Sequence, residues 1–281
     1  MLILSLLCFF ILLTFPTLCV DGARQGLLLW GLTLVPTLLP YFIVTKCILQ
    51  FEIPSRFLLP YLLLIGYGCG YPTGAASIYQ LYSVNTLTKK QANLLLCFCN
   101  HTSPGFLISF VHHTYFKNQL SLPAFLLPIY LSSILCSILF YFIFGPIFLD
   151  KNPSCMKKNT IQKENLESIF INSIYTIVKI GCYMIIFSIF IQLLLTIFHR
   201  FSLLGCVFSC FLEITTGLQQ LSLLPLSFQT KTALMSALCT MGGCCSIAQV
   251  YSASHGELSL ILYVLFKLLS AFSCFLLVLL L

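Results

Sequence analysis

Leu64-Ile-Gly-Tyr-Gly-Cys-Gly-Tyr-Pro-Thr-Gly-Ala75 sets Gly66, Gly68, Gly70, Pro72 and Gly74 inside a chain that is otherwise almost wholly apolar. Relative to Ala, Gly costs a helix interior about 1 kcal/mol and Pro about 3 kcal/mol, so a helix breaks there. In hydrocarbon, the backbone N–H and C=O groups freed by a break are tolerated only where protein or a water-filled cavity satisfies them. An interruption between lipid-soluble flanks is therefore a candidate binding site.

The flanks are lipid-soluble by composition. Of 281 residues, 59% are hydrophobic and 7% charged, and the mean hydropathy is +1.02. A soluble domain is about 45–50% apolar. The runs Leu2 to Val20, Leu122 to Leu149, Ile169 to Phe198 and Leu258 to Leu281 approach or exceed the roughly 20 helical residues that cross about 30 Å of hydrocarbon. An all-α polytopic membrane protein follows, with the lipid bilayer as its first partner. Pro16-Thr-Leu-Cys19 has Leu where a lipoprotein signal wants a small residue, and no Lys or Arg precedes the first apolar run; a retained helix is expected over a signal peptide.

Net charge of +7 does not point to nucleic acid, because the basic residues are scattered through loops without interleaved aromatics. They serve topology better. The 15 cysteines lie mostly in apolar runs, Cys97, Cys99, Cys136, Cys182, Cys206 and Cys210 among them, where a thiol acts as a small hydrophobe. Neither Cys97-Phe-Cys99 nor Cys244-Cys245 has the spacing or His partners of a zinc site, so no metal or other cofactor is expected.

The strongly polar stretch from Asp150 to Glu167 divides the chain near its middle. Four parts follow: an N-terminal transmembrane helix over 1–24, a first repeat over 25–149, a charged cytoplasmic loop over 150–168 and a second repeat over 169–281. Gly70-Tyr-Pro-Thr-Gly74 aligns with Glu213-Ile-Thr-Thr-Gly217 at an offset of 143, and Asn93-Leu-Leu-Leu-Cys-Phe-Cys99 with Ala233-Leu-Met-Ser-Ala-Leu-Cys239 at 140. Two offsets so close are what a duplicated unit with a small deletion gives; chance matching in low-complexity apolar sequence is the other explanation. If 57–82 and 201–222 enter and leave on one side as re-entrant hairpins, each unit has three true crossings and the second copy is inverted. Lys46, Arg56, Lys89, Lys90, Lys151, Lys157, Lys158 and Lys163 then share one side, against Arg24, Lys117, Arg200 and Lys231. The first side is the expected cytoplasmic face.

Glu213 lies in Cys210-Phe-Leu-Glu-Ile-Thr-Thr-Gly217. A carboxylate at membrane depth costs a few kcal/mol unless it faces a cavity or a partner, so Glu213 is a candidate for solute binding and proton coupling, with an interfacial carboxylate as the plain alternative. Cys99-Asn-His-Thr-Ser-Pro-Gly105 puts four hydrogen-bonding side chains beside a Pro-Gly break, and Cys239-Thr-Met-Gly-Gly-Cys-Cys-Ser-Ile-Ala-Gln249 is its counterpart. Asn100, His101, Thr102, Ser103, Thr240, Ser246 and Gln249 could replace the hydration shell of a polar solute; close helix packing through Gly242-Gly243 is the competing reading. Lys179 and Lys267 either meet an anion, pair with Glu213, or snorkel to an interface. His112-His113 reads as an interface marker. No nucleophile elbow, Walker loop or zinc helix is present, and seven acidic residues leave little for paired-carboxylate catalysis, so no enzyme is expected.

Trp30-Gly-Leu-Thr-Leu-Val-Pro-Thr-Leu-Leu-Pro40, Gly68-Cys-Gly-Tyr-Pro-Thr-Gly-Ala75, Cys99-Asn-His-Thr-Ser-Pro-Gly105, Leu212-Glu-Ile-Thr-Thr-Gly217 and Met241-Gly-Gly-Cys-Cys-Ser-Ile-Ala-Gln249 resemble, in order, motifs of the YlbJ-type sporulation integral membrane proteins. That family carries duplicated gate, or nucleoside-recognition, regions related to those of concentrative nucleoside transporters. The resemblance implies two inverted gate-like repeats with broken helices, residence in the outer forespore membrane, and movement of dipicolinic acid during sporulation. It assigns candidate solute-binding roles to Gly70, Pro72, Gly74, Asn100, Ser103, Glu213, Thr216, Gly217, Gly243, Ser246 and Gln249; Thr73 and Thr102, polar residues of the same stretches, are candidates beside them. A secondary transporter of a small organic anion is the expectation; a nucleoside-like solute permease or a non-transporting sporulation scaffold is the alternative. Expected partners are that solute, other sporulation membrane proteins and a second copy of the chain.

Overall fold

The computed structural model describes residues 2–49, 51, 55–117, 119–145, 165–197 and 202–281. The basic residues Lys151, Lys157, Lys158 and Lys163 of the expected cytoplasmic loop lie outside them. Among the described residues the secondary structure is helical, with no strand. Five helices are long and apolar enough to cross a membrane: Pro16–Ile48, Leu122–Phe144, Leu166–Ile197, Phe228–Ala253 and Leu260–Leu280.

The run Leu2 to Val20 is not one span. Helix α1 (Leu2–Thr14) has 13 residues, and Pro16, which lacks an N–H, opens α2 (Pro16–Leu29). Residues 24 and 25, the expected boundary between an N-terminal helix and the first repeat, sit inside α2. That helix continues through a π-helical turn, Trp30–Leu34, into α3 (Val35–Leu49). α4 (Ser55–Gly68) and α5 (Thr73–Ser83) follow, separated by the glycine-rich break. α6 (Lys89–Phe98) ends at Cys99, and α7 (Pro104–Phe106) passes into a π-helix, Leu107–Phe116. α8 (Leu122–Phe144) closes this half.

The second half repeats that order. A long helix, α9 (Leu166–Ile197), precedes the pair α10 (Ser202–Leu212) and α11 (Ile214–Leu223), which breaks at Glu213. α12 (Phe228–Met241) and α13 (Gly243–Ala253) break at Gly242, and α14 (Leu260–Leu280) ends the chain. Three packing contacts also correspond when the halves are exchanged. α6 packs on α8 as α12 packs on α14, α6 meets α14 as α12 meets α8, and α5 meets α6 as α11 meets α12.

Sequence explains the tightest interface, where α2 lies along α9. Gly22 and Gly26, one turn apart, leave no room for side chains. A Cβ on Gly22 would come within 2.8 Å of Ile189 Cα, and one on Gly26 within 2.9 Å of Ile185 Cα. A turn further on, Trp30 lies against Gly181 and donates from Nε1 to the Ile177 carbonyl at 2.8 Å. Without a hydrophobic force between helices in lipid, such small-residue contact and buried hydrogen bonding supply the association.

Candidate functional site at the junction of four helix breaks

Each interruption starts a new helix, and the four helix beginnings converge. The glycine-rich break folds so that Tyr71 donates its backbone N–H to the His101 carbonyl at 2.8 Å, while His101 N–H reaches the Gly66 carbonyl at 3.3 Å. Thus two interruptions of the first half satisfy each other's backbone, as a bilayer interior demands. Gly70 adopts φ +78°, and a Cβ there would sit 2.7 Å from Ser103 N. Thr102 then links the halves by donating its hydroxyl to the Cys239 carbonyl of α12 at 2.5 Å.

Glu213 is 2% exposed and caps α11. Its Oε1 accepts from Thr215 N at 3.0 Å, and its Oε2 from Thr216 N at 2.9 Å and Thr216 Oγ1 at 3.1 Å; the Thr215 hydroxyl donates to it as well. Four donors aimed at one carboxylate, at the positive end of a helix, offset its removal from water. In the second half, Gly242 and Gly243 have φ +87° and +76°, a left-handed pair that only glycine adopts without strain.

Between these ends lies a cavity of about 40 Å³, lined by Thr102, Ser103, Glu213, Ser246 and Gln249 of the predicted residues, with Tyr71, Thr215, Gly242 and Cys245 completing its polar wall. The volume accommodates a few water molecules. Leu34, Leu38, Phe106, Met184 and Ile214 close it. Pro72 lines a second cavity, which also shares Gln249.

The other predicted residues support these walls without lining either cavity. Gly74 lets α5 press on the Cys99 carbonyl. Thr73, 6% exposed, has a hydroxyl with no hydrogen-bond partner. Asn100 donates from Nδ2 to the Tyr263 hydroxyl at 3.0 Å, and its Oδ1 has no hydrogen-bond partner. Thr216 belongs to the Glu213 cap, Gly217 lets α11 fold back against Cys210, and Gly243 lies against the Phe211 and Leu212 carbonyls.

Lys267 is 1% exposed. It meets the end of α12 rather than Glu213, donating to the Thr240 carbonyl at 3.3 Å. The negative end of a helix suits an ammonium group. His112 bonds the Leu120 carbonyl at 2.8 Å, and His113 meets Lys117 at 3.2 Å.

Sequence reading missed Tyr71 and Thr215 as wall residues, although both sit within motifs it singled out. Leu34 and Leu38 sit in the Trp30–Pro40 motif but were assigned no site role, and Met184 carried no signal, since it comes from a long helix of uniform hydropathy.

Together, fold and site define a class: an all-helical, multi-pass integral membrane protein whose interrupted helices meet around a small cavity. Part of the chain is similar to the sporulation integral membrane protein YlbJ of Bacillus subtilis (strain 168), 26% identical over 119 residues, which cover 37% of this chain and 29% of that protein. The match thus spans less than a third of the relative's length. No protein family matches the chain, and no solved structure does.

Proposed function

We propose that the protein is a secondary transporter of a small organic anion that acts in sporulation, moving dipicolinic acid across the outer forespore membrane. The observation that carries this reading is the convergence of α7, α11 and α13, each by its amino-terminal end, on one small cavity that Tyr71, just before α5, also lines. Helix amino termini present unsatisfied N–H groups and a positive partial charge, so their meeting point attracts anions.

Glu213 already illustrates that chemistry. A carboxylate of the chain occupies the start of α11 and the Ser103 hydroxyl that of α7, leaving the start of α13, which has no side-chain cap, to a solute. The 40 Å³ cavity is smaller than an aromatic dicarboxylate, so entry needs one set of helices to move against the other, as in alternating access. The duplicated order of elements supports two gate-like repeats, and three crossings per unit would invert the second. The similarity to a sporulation membrane protein supports the setting.

Purified protein in proteoliposomes tests this directly. Uptake of dipicolinate is expected, with uridine moved poorly and a large loss of rate in Ser246→Ala and Ser103→Ala. If the intact protein moves neither dipicolinate nor uridine nor benzoate, while both variants still support spore formation, the scaffold reading replaces transport.

A further inference from the structure

We propose that a second cavity, bounded by Lys46, Lys179 and His255, is an anion-receiving site distinct from the helix-break junction. It takes a small oxyanion carrying two negative charges.

The cavity measures about 270 Å³, near the lower end of the roughly 300–1,000 Å³ of small-molecule pockets. Lys46 of α3, Lys179 of α9 and His255 line it, and among the described residues no carboxylate does. Lys46 Nζ meets Thr176 Oγ1 at 3.5 Å, and Thr176 stands one helical turn before Lys179. Both lysines therefore address the same hollow from facing helices. Glu257, two residues past His255, is held by the Tyr79 hydroxyl at 3.0 Å. Tyr79 in turn stacks on the His255 ring, with centroids 4.6 Å apart.

Two ammonium groups lining one partly desolvated hollow attract a dianion more strongly than either does in water. Tyr175 and Tyr183 on the same wall offer aromatic faces to a planar solute. Position supports the assignment as well. Asn172 to Lys179 lie about 9 to 20 Å along α9 from its first residue, the end that follows the basic 150–164 segment. Gln249 lines this cavity and the junction alike, so an anion held here lies one side chain from the helix breaks.

The role in loading a transporter rests on the proposed function; the binding itself does not. The test is accordingly an equilibrium one: titration calorimetry of the full chain in nanodiscs of neutral lipid, with isophthalate and inorganic phosphate as soluble probes. A parallel arm measures retention of phosphatidylglycerol by native mass spectrometry, since a lipid headgroup offers the same oxyanion chemistry. Isophthalate binding is expected to weaken with salt and to fall about tenfold in Lys179→Gln and in Lys46→Gln, each losing a charge-assisted hydrogen bond. Lys179→Arg should restore it to within about twofold of the intact chain. Gly68→Ala, with nothing within 4 Å of an added Cβ, should leave it unchanged. A lysine-dependent loss confined to the phosphatidylglycerol arm would establish the site with a lipid as its source. If Lys46→Gln and Lys179→Gln together leave isophthalate, phosphate and phosphatidylglycerol binding as in the intact chain, the site is overturned, whether or not transport is observed.

Discussion

The two halves interrupt their helices at matching places by opposite means. In the first half the breaks are stretches of backbone, Cys69–Pro72 and Cys99–Ser103, joined by the Tyr71 N–H on the His101 carbonyl, with the Ser103 hydroxyl accepting from Phe106 N. In the second half they are single points. A side chain, Glu213, supplies the acceptors at one, and a left-handed Gly242-Gly243 pair turns the chain at the other. A solvent-free environment sets one requirement, that every freed polar group find a partner. Backbone-to-backbone pairing meets it where room for side chains is absent, and a carboxylate meets it where one helix begins alone.

If that contrast is right, the first half is the less forgiving of added volume. A Cβ on Gly74 would fall deep inside contact distance of the Cys99 carbonyl oxygen, and one on Gly66 inside that of Cys99 itself. Backbone there cannot yield without breaking the pairing between the two interruptions. Gly74→Ala is expected to cost more than about 3 kcal/mol, the upper range for overpacking, measured by unfolding in mixed micelles. Gly68→Ala, with nothing within 4 Å, is the control. It should be neutral, or stabilising by up to about 1 kcal/mol. Equal losses at Gly74 and Gly68 would mean that the glycines matter for flexibility and not for close approach.

The second half should instead be sensitive to chemistry. Glu213→Ala strands the N–H groups of Thr215 and Thr216 and both hydroxyls in a site 2% exposed. A loss of about 2–3 kcal/mol is expected from the missing cap and the unsatisfied donors. Glu213→Gln keeps the shape and one acceptor, and should lose about 1 kcal/mol. If Glu213→Ala is as stable as the intact chain while transport is lost, Glu213 is a coupling residue and its capping geometry is incidental.

This division also explains what could be read from sequence. Gly70, Pro72 and Gly74 announce a break because their local preferences oppose a helix whatever surrounds them. Glu213 stands out because its charge is costly in an apolar run. The spans over Leu122–Phe144 and Leu260–Leu280 followed from length and hydropathy alone. The division of the first apolar run at Phe15 turned on one proline. The cavity wall from Leu34, Leu38 and Met184 was not legible, because which face of a uniformly apolar helix turns inward is decided by packing. Lys46 and Lys179 lie 133 positions apart in chain, so nothing local brings them together.

A third substitution compares turning points. Gly243→Ala places a side chain at φ +76°, where an L-residue pays about 1–2 kcal/mol. Its Cβ would stand 3.3 Å from the Phe211 and Leu212 carbonyl oxygens. Gly243→Asn should lose less by unfolding than Gly243→Ala, because Asn tolerates the left-handed region better. The reverse order would place the cost in crowding and not in dihedral strain.

The smallest effect probes how the halves are joined. Asn100, in the long interruption of the first half, donates to the Tyr263 hydroxyl of α14 at 3.0 Å, and both residues are fully buried. Truncating either partner strands the other, so the single variants overstate what the bond contributes. A double-mutant cycle with Asn100→Ala and Tyr263→Phe separates the two, and its coupling energy should be about 1 kcal/mol, that of an ordinary neutral hydrogen bond. Because Asn100 Oδ1 already lacks a protein partner, Asn100→Ala removes one unsatisfied acceptor as it removes the donor. Its own cost should then be lower than that of Tyr263→Phe, which leaves the whole amide unpaired in a dry site. If the Asn100 variant proves the more costly of the two, the free oxygen is engaged by bound water or solute, and the first-half interruption belongs to the binding surface as well as to the seam between the halves.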